Sequence, residues 1–451
     1  MTIGTVLIAN RGEIALRILR TCRELGVRTV AVYSAADAGT AVVRDADDAV
    51  CIGPEAAKHS YLNIPAVIEA ARLAGADAIH PGYGFLSEDP DFAEVCAAEG
   101  LRFIGPPATV LALLGDKSSA RMAMTKAGLP LLPGTLQPVH TGAEAEKAAA
   151  EVGYPLIIKA VAGGGGRGIQ VVTDPAELPA ALAQTRASAL NLFGDGRVYL
   201  ERYLASARHV EVQVLADEHG SVISLGARDC TVQRRRQKLI EETPPPSLVE
   251  TDVQRIAEDA LRGAREAGYV GAGTFEFIVD DAGQHYFMEV NCRIQVEHPV
   301  TEMVTGVDIV AEQLRISAGQ PLSMTQEEVM PRGVAIECRV NAEDPDRGFA
   351  PAPGPLTEFW LPAGPFVRVD THAEPGQRLA AAYDSLLAKV IVWAPTRTAA
   401  IGRMQRALRE CRIRGAGLHT TAGFLQRVLD DDRFRAARHR TNFVEEITTA
   451  R

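Results

Sequence analysis

Val161-Ala162-Gly163-Gly164-Gly165-Gly166-Arg167-Gly168 lies between two short apolar runs, Pro155-Leu-Ile-Ile-Lys159 and Ile169-Gln-Val-Val172. Glycine alone lets a backbone turn this tightly and bring several N–H groups up to a polyphosphate. The string contains G-x-G-x-x-G at Gly163, Gly165 and Gly168, but that dinucleotide fingerprint must follow a strand and open a helix. Here both flanks are β-branched and read as strands, so the glycines sit at the tip of a hairpin. No Lys-Ser or Lys-Thr follows, which excludes a Walker loop. A plain turn would be served by Asn-Gly. Four glycines in a row, Gly163, Gly164, Gly165 and Gly166, instead indicate a flap over phosphates.

Outward from the flap, the chain has the bulk for two to four domains: 451 residues, 47% hydrophobic and 23% charged. A net charge of −10 argues against a general nucleic-acid or membrane-surface binder. The seven cysteines are scattered and never form Cys-x-x-Cys, which suits a reducing cytoplasm without disulfides or a zinc site. No apolar run reaches the length of a membrane span, and the N-terminus lacks a signal-peptide pattern.

The first hundred residues alternate strands and helices. Thr5 to Ala9 reads as a strand, with Asn10 as cap of the following helix. Strands at Thr29–Tyr33 and Ala49–Ile52, a helix from Ile64 to Ala74 and a strand ending at His80 complete a doubly wound βαβ pattern. Its loop Pro81-Gly-Tyr-Gly-Phe-Leu-Ser-Glu88 lies where open α/β sheets place ligands. Helical sequence from Ala108 to Ala127 leads through Leu129-Pro-Leu-Leu-Pro-Gly134 into the flap unit, and strands predominate from His209. The expected fold is a multidomain α/β and α+β chain. It has an N-terminal doubly wound domain (1–115), a nucleotide domain (116–330) with a mobile lid at about 131–204, and a β-rich C-terminal domain (331–451).

Lys159 enters the flap and Lys117 precedes it, two point charges suited to phosphates. Glu276 and Glu289 stand in the apolar strands Thr274-Phe-Glu-Phe-Ile278 and Tyr286-Phe-Met-Glu-Val290, joined by Asp280-Asp-Ala-Gly-Gln284. With Ala282-Gly283 as a two-residue loop, the two glutamates face one another. Such a pair is unfavourable unless compensated, and Mg²⁺ or Mn²⁺ would compensate it, with Asn291 as a further oxygen. Arg293, Gln295, Glu297 and His298 follow at once, and Glu337-Cys-Arg-Val-Asn-Ala-Glu-Asp344 comes later. An arginine here could clamp a small anion while a glutamate takes a proton. Structural salt bridges would account for the same residues equally well.

Together these motifs resemble the biotin carboxylase family, the ATP-grasp components of acetyl-CoA and related acyl-CoA carboxylases. The resemblance rests on Ile8-Ala-Asn-Arg-Gly-Glu-Ile-Ala15, His80-Pro-Gly-Tyr-Gly-Phe-Leu-Ser-Glu88, the glycine run, Gly271-Ala-Gly-Thr-Phe-Glu276, Arg293-Ile-Gln-Val-Glu-His-Pro-Val-Thr-Glu302 and Glu337-Cys-Arg-Val-Asn-Ala-Glu-Asp-Pro345. It implies an ATP-grasp fold. The implied reaction forms carboxyphosphate from MgATP and bicarbonate and then carboxylates N1′ of biotin. It implies that Lys117, Lys159 and the glycines hold phosphates, with Glu201, His209 and Gln233 around the nucleotide. Glu276, Glu289 and Asn291 would bind metal, and Lys238, Arg293, Gln295 and Val296 would bind bicarbonate. Glu297 would be the base, and Arg339 would stabilise the biotin enolate.

Some positions depart from the family pattern. Arg236 stands where the family has histidine, Cys292 where it has threonine, and Thr243-Pro-Pro-Pro246 replaces Ala-Pro-x-Pro. Arg17 and Arg20 fall at the family's dimer contact, whereas the Phe366–Arg368 region matches less well, so a homodimer is expected. No biotin-attachment sequence or carboxyltransferase region is present in the chain. Biotin is therefore expected on a separate carrier protein, with the carboxyltransferase on another chain. The competing readings are another ATP-grasp ligase and an idle nucleotide-binding scaffold in a carboxylase complex.

Overall fold

The computed structural model describes residues 3–162, 168–379 and 382–449. Gly163, Gly164, Gly165 and Gly166 thus lie outside the described residues.

Five parallel strands open the chain: β1 (Thr5–Ile8), β2 (Arg28–Ser34), β3 (Asp48–Gly53), β4 (Ala78–His80) and β5 (Arg102–Phe103). Their order β3-β2-β1-β4-β5 reverses direction between β1 and β4, which creates the crevice where such sheets bind ligands. Asn10 is tied into that crevice. The helix Gly12–Glu24 is capped at Arg11 without side-chain help, so the expected Asn10 cap is corrected. Asn10 Nδ2 instead donates to Pro81 O at 2.7 Å and Tyr83 O at 2.8 Å, stitching the β4 loop to β1. A buried amide that satisfies two carbonyls stabilises this loop, since leaving such groups unpaired in the interior is costly.

The helical sequence from Ala108 to Ala127 forms two helices, Ala108–Gly115 and Lys117–Lys126. Asp116 breaks it by accepting the Ser119 N–H at 2.8 Å as an N-cap. That break puts Lys117 on the first turn of a helix.

The glycine run does join two antiparallel strands. β6 (Leu156–Ala160) pairs β7 (Ile169–Val172), with Lys159 opposite Ile169, and β8 (Val198–Arg202) flanks β6 on the other side. Gly168, at φ 69°, takes a left-handed conformation beside Phe193 and Ala160. This small sheet has its own apolar core, including Ala145, Leu156, Ile158, Leu182 and Leu200.

The principal sheet has eight strands. β9 (Arg208–Ala216), β10 (Val222–Arg234), β11 (Gln237–Thr243), β12 (Gly271–Val279), β13 (His285–Asn291) and β14 (Val334–Asn341) join Leu386–Ala394 and Val367–Thr371. The order is β13-β12-β9-β10-β11-β14, then Leu386–Ala394 and Val367–Thr371. The chain on either side of residue 330 therefore shares one hydrogen-bonded sheet, joined at β11 and β14. All seven cysteines are free. Among the described residues no helix is long and apolar enough to cross a membrane.

Candidate active site

Glu276 and Glu289 are direct cross-strand partners, as the hairpin reading requires, but by another route. The loop is Asp281 to Gly283, because Val279 pairs His285 and the Asp280 N–H donates to Gln284 O. Gly283, at φ 77°, closes it. Beyond Phe277 and Phe287 the register shifts, leaving Met288 as a bulge. The two-residue loop is thus corrected. The physical reason lies in the strand. In a regular strand Phe287 and Glu289, two apart, would share a face. The bulge sends Phe287 into the core at 1% exposure and Glu289 to the cavity.

That cavity measures about 1160 Å³ and gathers residues from the small flap sheet, the eight-stranded sheet and the segments that follow β1 and β4. At one end stand the two lysines. Lys117 Nζ reaches Glu289 Oε2 at 2.5 Å. Lys159 and Arg121 both bind Glu201, so Glu201 anchors the flap lysine. Burial lowers the pKa of both lysines, but Glu289 and Glu201 outweigh it and raise them. Both lysines are firmly cationic. Gln233 and Arg236 also line this cavity.

Glu276 is buried and accepts from His209 at 2.9 Å, Lys238 at 3.0 Å and Asn291 Nδ2 at 2.8 Å. Burial would raise its pKa, yet Lys238 and His209 hold it well below the usual carboxylate range. Lys117 lowers the pKa of Glu289. Two ionised carboxylates facing each other at a polar cavity wall are a donor set that suits a hard divalent cation. The Asn291 nitrogen faces Glu276 while Oδ1 accepts from Arg293 at 3.1 Å. The side chain offers an oxygen to a metal beside Glu276 only after its amide rotates.

Lys238 is the hub. Its ammonium spends its hydrogens on Glu211 at 2.5 Å, Glu276 at 3.0 Å and Glu297 at 2.5 Å. Glu297 is fully buried, and its other oxygen accepts from Arg339 at 2.9 Å. Burial pushes its pKa up, but Lys238, Arg339 and Arg228 together depress it far below the ordinary value. Arg293 is aimed by Glu88, which accepts its Nε at 2.9 Å and the Cys292 N–H at 2.8 Å. It also donates to Gln295 at 3.1 Å. Val296 lines the cavity, and its carbonyl accepts from Lys389 at 2.9 Å. Every residue expected at the site, apart from the glycines outside the described residues, lines this one cavity.

Several supporting residues escaped the sequence reading. Glu211 and Arg228, fully buried and 2.5 Å apart, form the floor under Lys238. Arg121 orients Glu201, and Glu241 accepts from Arg339 Nε at 2.6 Å. The signal available was the placement of charges inside apolar strands, as used for Glu276. Arg17, expected at a dimer contact, is buried within the chain by Glu302 and Asp308, each at 2.8 Å.

Comparison with known proteins agrees with this geometry. Residues 2–111 match the biotin carboxylase N-terminal domain, and residues 116–325 match the ATP-binding domain of the carbamoyl-phosphate synthase L chain. Residues 337–446 match the biotin carboxylase C-terminal domain. The chain is 51% identical over 447 residues to the biotin carboxylase of Nostoc sp., covering 99% of this chain and 100% of that one. It is 49% identical to biotin carboxylase 1 of Bacillus subtilis, covering 98% of each. The fold matches a biotin carboxylase complex from Campylobacter jejuni with TM-score 0.96 and 45% identity, over 98% of this chain and 99% of that one. It matches equally, at TM-score 0.96 and 44% identity over 99% and 98%, the biotin carboxylase domain dimer of Hydrogenobacter thermophilus 2-oxoglutarate carboxylase. That structure holds MgADP, ADP and bicarbonate. With a buried glutamate set between Lys238 and Arg339 beside a facing carboxylate pair, and with these matches along its length, the chain belongs to the biotin carboxylases, ATP-grasp ligases that carboxylate biotin.

Proposed function

We propose that this chain forms carboxyphosphate from MgATP and bicarbonate, releasing ADP, and transfers the carboxyl group to N1′ of biotin carried on a separate protein, releasing phosphate. This would be the first half-reaction of an acetyl-CoA or related acyl-CoA carboxylase. The observation that carries the proposal is Glu297, buried and ionised between Lys238 and Arg339 in the cavity that also holds Lys117, Lys159, Glu276 and Glu289.

In this reading Lys117 and Lys159, together with the glycine run, neutralise nucleotide phosphates, while Glu201 holds Lys159 in place. His209 and Gln233 lie on the nucleotide side. Glu276 and Glu289, with Asn291 once its amide turns, hold Mg²⁺ or Mn²⁺, which supplies charge neutralisation on the phosphates. Lys238, Arg293, Gln295 and the Val296 backbone receive bicarbonate, and Glu297 removes its proton. A carboxylate held so far below its ordinary pKa is a poor base. Binding corrects this. When Lys238 turns to the bicarbonate anion and Arg339 to the biotin oxygen, Glu297 loses two neutralising partners and its basicity rises. The base is thus switched on by its own substrates. Arg339 then stabilises the enolate that attacks the carboxyl group, in a closed site that spares carboxyphosphate from water.

The partners proposed are a biotin carboxyl carrier protein and a carboxyltransferase on separate chains, and a second copy of this chain. A dimer is described for the Hydrogenobacter thermophilus relative. A reducing cytoplasm suits the seven free cysteines. The test is ADP release with free biotin, with and without bicarbonate and Mg²⁺. Release that requires all three is expected. Hydrolysis indifferent to biotin and bicarbonate would point to another ATP-grasp ligase, and no hydrolysis would point to a scaffold.

A further inference from the structure

Three carboxylate oxygens behind the site are buried without a hydrogen-bond partner among the described residues: Oε2 of Glu241 and both oxygens of Glu337. Both side chains are fully buried. The two residues are direct partners across β11 and β14, which sets their Cβ atoms about 5 Å apart on one face of the sheet. The nearby cations are committed elsewhere. Arg339 divides itself between Glu241 Oε1 at 2.6 Å and Glu297 Oε2 at 2.9 Å. Lys389 holds Glu13 and the Val296 carbonyl, each at 2.9 Å, with Asp370 at 3.8 Å. Two ionised carboxylates in this setting would leave one charge buried and uncompensated, and a shared proton removes that cost.

We propose that Glu337 is a positioning residue that stays protonated and donates its O–H to Glu241 Oε2, so that Glu241 keeps Arg339 against Glu297. The charged groups around Glu337 are Glu241 on β11, Arg339 on its own strand, Lys389 on Leu386–Ala394, and Glu297 at the start of the helix His298–Thr305. On that helix, burial keeps His298 neutral. Burial raises the pKa of Glu337, and Lys389 and Arg339 only partly offset it, so it lies well above its ordinary range. Glu241, which Arg339 grips directly, is raised only to about 7. The proton therefore belongs on Glu337. With its second oxygen satisfied, Glu241 cannot swing away from Arg339.

The role in catalysis rests on the function proposed above, whereas the proton assignment does not, so the test has two arms. Above its ordinary pKa of 4.5 the unfolded chain releases the Glu337 proton while the folded chain keeps it. This group's contribution to stability thus falls as pH rises toward the folded pKa. Glu337→Gln keeps an N–H donor for Glu241 and cannot ionise. Its Tm relative to the parent should climb as pH rises above the ordinary carboxyl pKa of 4.5. The infrared carbonyl band of a buried carboxylic acid should be present in the parent and weakened in the variant. A Tm difference independent of pH, or a parent without that band, would overturn the assignment. In the kinetic arm Glu337→Ala, which bares Glu241 Oε2, should lower kcat roughly tenfold, while Glu337→Gln stays within about threefold of the parent. A Gln variant that falls as far as the Ala variant would overturn the positioning role even with the proton assignment intact.

Discussion

At the scale of the residue, the site is a balance of buried charges with Lys238 at its centre. Replacing Lys238 with methionine keeps the length of the side chain but strands Glu211, Glu276 and Glu297, which it reaches at 2.5, 3.0 and 2.5 Å. Leaving buried charges without their partner costs about 3–5 kcal/mol. The pH dependence should reverse sign. In the parent, Glu297 is depressed below its ordinary 4.5, so its contribution is complete above that pH and is lost as pH falls further. In Lys238→Met the same burial lacks its largest offset, and lowering the pH from neutral toward about 5 should raise the Tm. Thermal melts of both proteins across that range check this, and parallel slopes would remove Lys238 as the hub. Glu297→Gln should be milder for folding, because Lys238 keeps Glu211 and Glu276, Arg339 keeps Glu241, and the amide oxygen still accepts from one of the two cations. Without a base, its biotin carboxylation should drop by about 10²–10⁴. ADP release assayed with bicarbonate and biotin measures it. The sequence displayed Glu276, Glu289 and Glu297, because charges amid phenylalanines or inside a dense polar motif stand out, whereas Lys238 came only from the family resemblance. The sequence hid Glu211. Arg208–Ala216 alternates polar and apolar residues like a strand with one wet face, yet every residue in it is buried. The neighbouring Arg228 and Lys238 explain why a glutamate belongs there.

At the scale of the element, the decisive feature is the Met288 bulge. It, rather than the loop, sends Phe287 to the core and Glu289 to the cavity. Strand pairing was legible from residue types, but the bulge was not. A loop of two residues without a bulge and a loop of three with one both bring Glu276 opposite Glu289, and residue types do not separate them. The Asn10 cap was misread for a related reason. A helix-capping residue and a loop-tying amide have the same sequence, and only the Pro81 and Tyr83 carbonyls decide between them. The two roles of loop and bulge can be separated by experiment. Deleting Ala282 leaves Asp281-Gly283 as a two-residue turn, a pair suited to type I′. It leaves the pairing from Val279 and His285 onward untouched. The deletion should shift stability by no more than about 1 kcal/mol and preserve nucleotide-dependent activity. Denaturation midpoints and ADP release provide the check. Loss of activity in a folded deletion variant would show that the loop length, and not the bulge, orients Glu289.

At the scale of the whole molecule, the eight-stranded sheet crosses the division at residue 330 that composition suggests. β11 contributes Lys238 and Glu241, and β14 contributes Glu337 and Arg339. The Arg339–Glu241 ion pair therefore exists only where these two strands meet. The first sheet adds the switch-point loop through Glu88, which holds Arg293, and the small flap sheet adds Lys159. A cut at residue 330 would expose the β11 edge. It would also uncover apolar side chains on both halves, since Val232, Leu239 and Ile240 share a core cluster with Ile336, Val390 and Val392. Long unpaired edges beside apolar surface associate rather than fold. The fragment 1–330 should accordingly be insoluble or aggregated, and co-expression with 331–451 should restore soluble protein only by re-forming the β11–β14 ladder. In the intact chain the residues of the large sheet should unfold in a single calorimetric transition. The flap sheet, with its separate core of Val139, Leu156, Val172 and Leu200, should lose amide protection at a lower free energy. Hydrogen exchange resolved by peptide tests both statements at once. A well-folded 1–330 fragment, or flap strands protected as strongly as β9 and β12, would mean that the residues on either side of position 330 are independent units and that the site is assembled by docking rather than by a shared sheet.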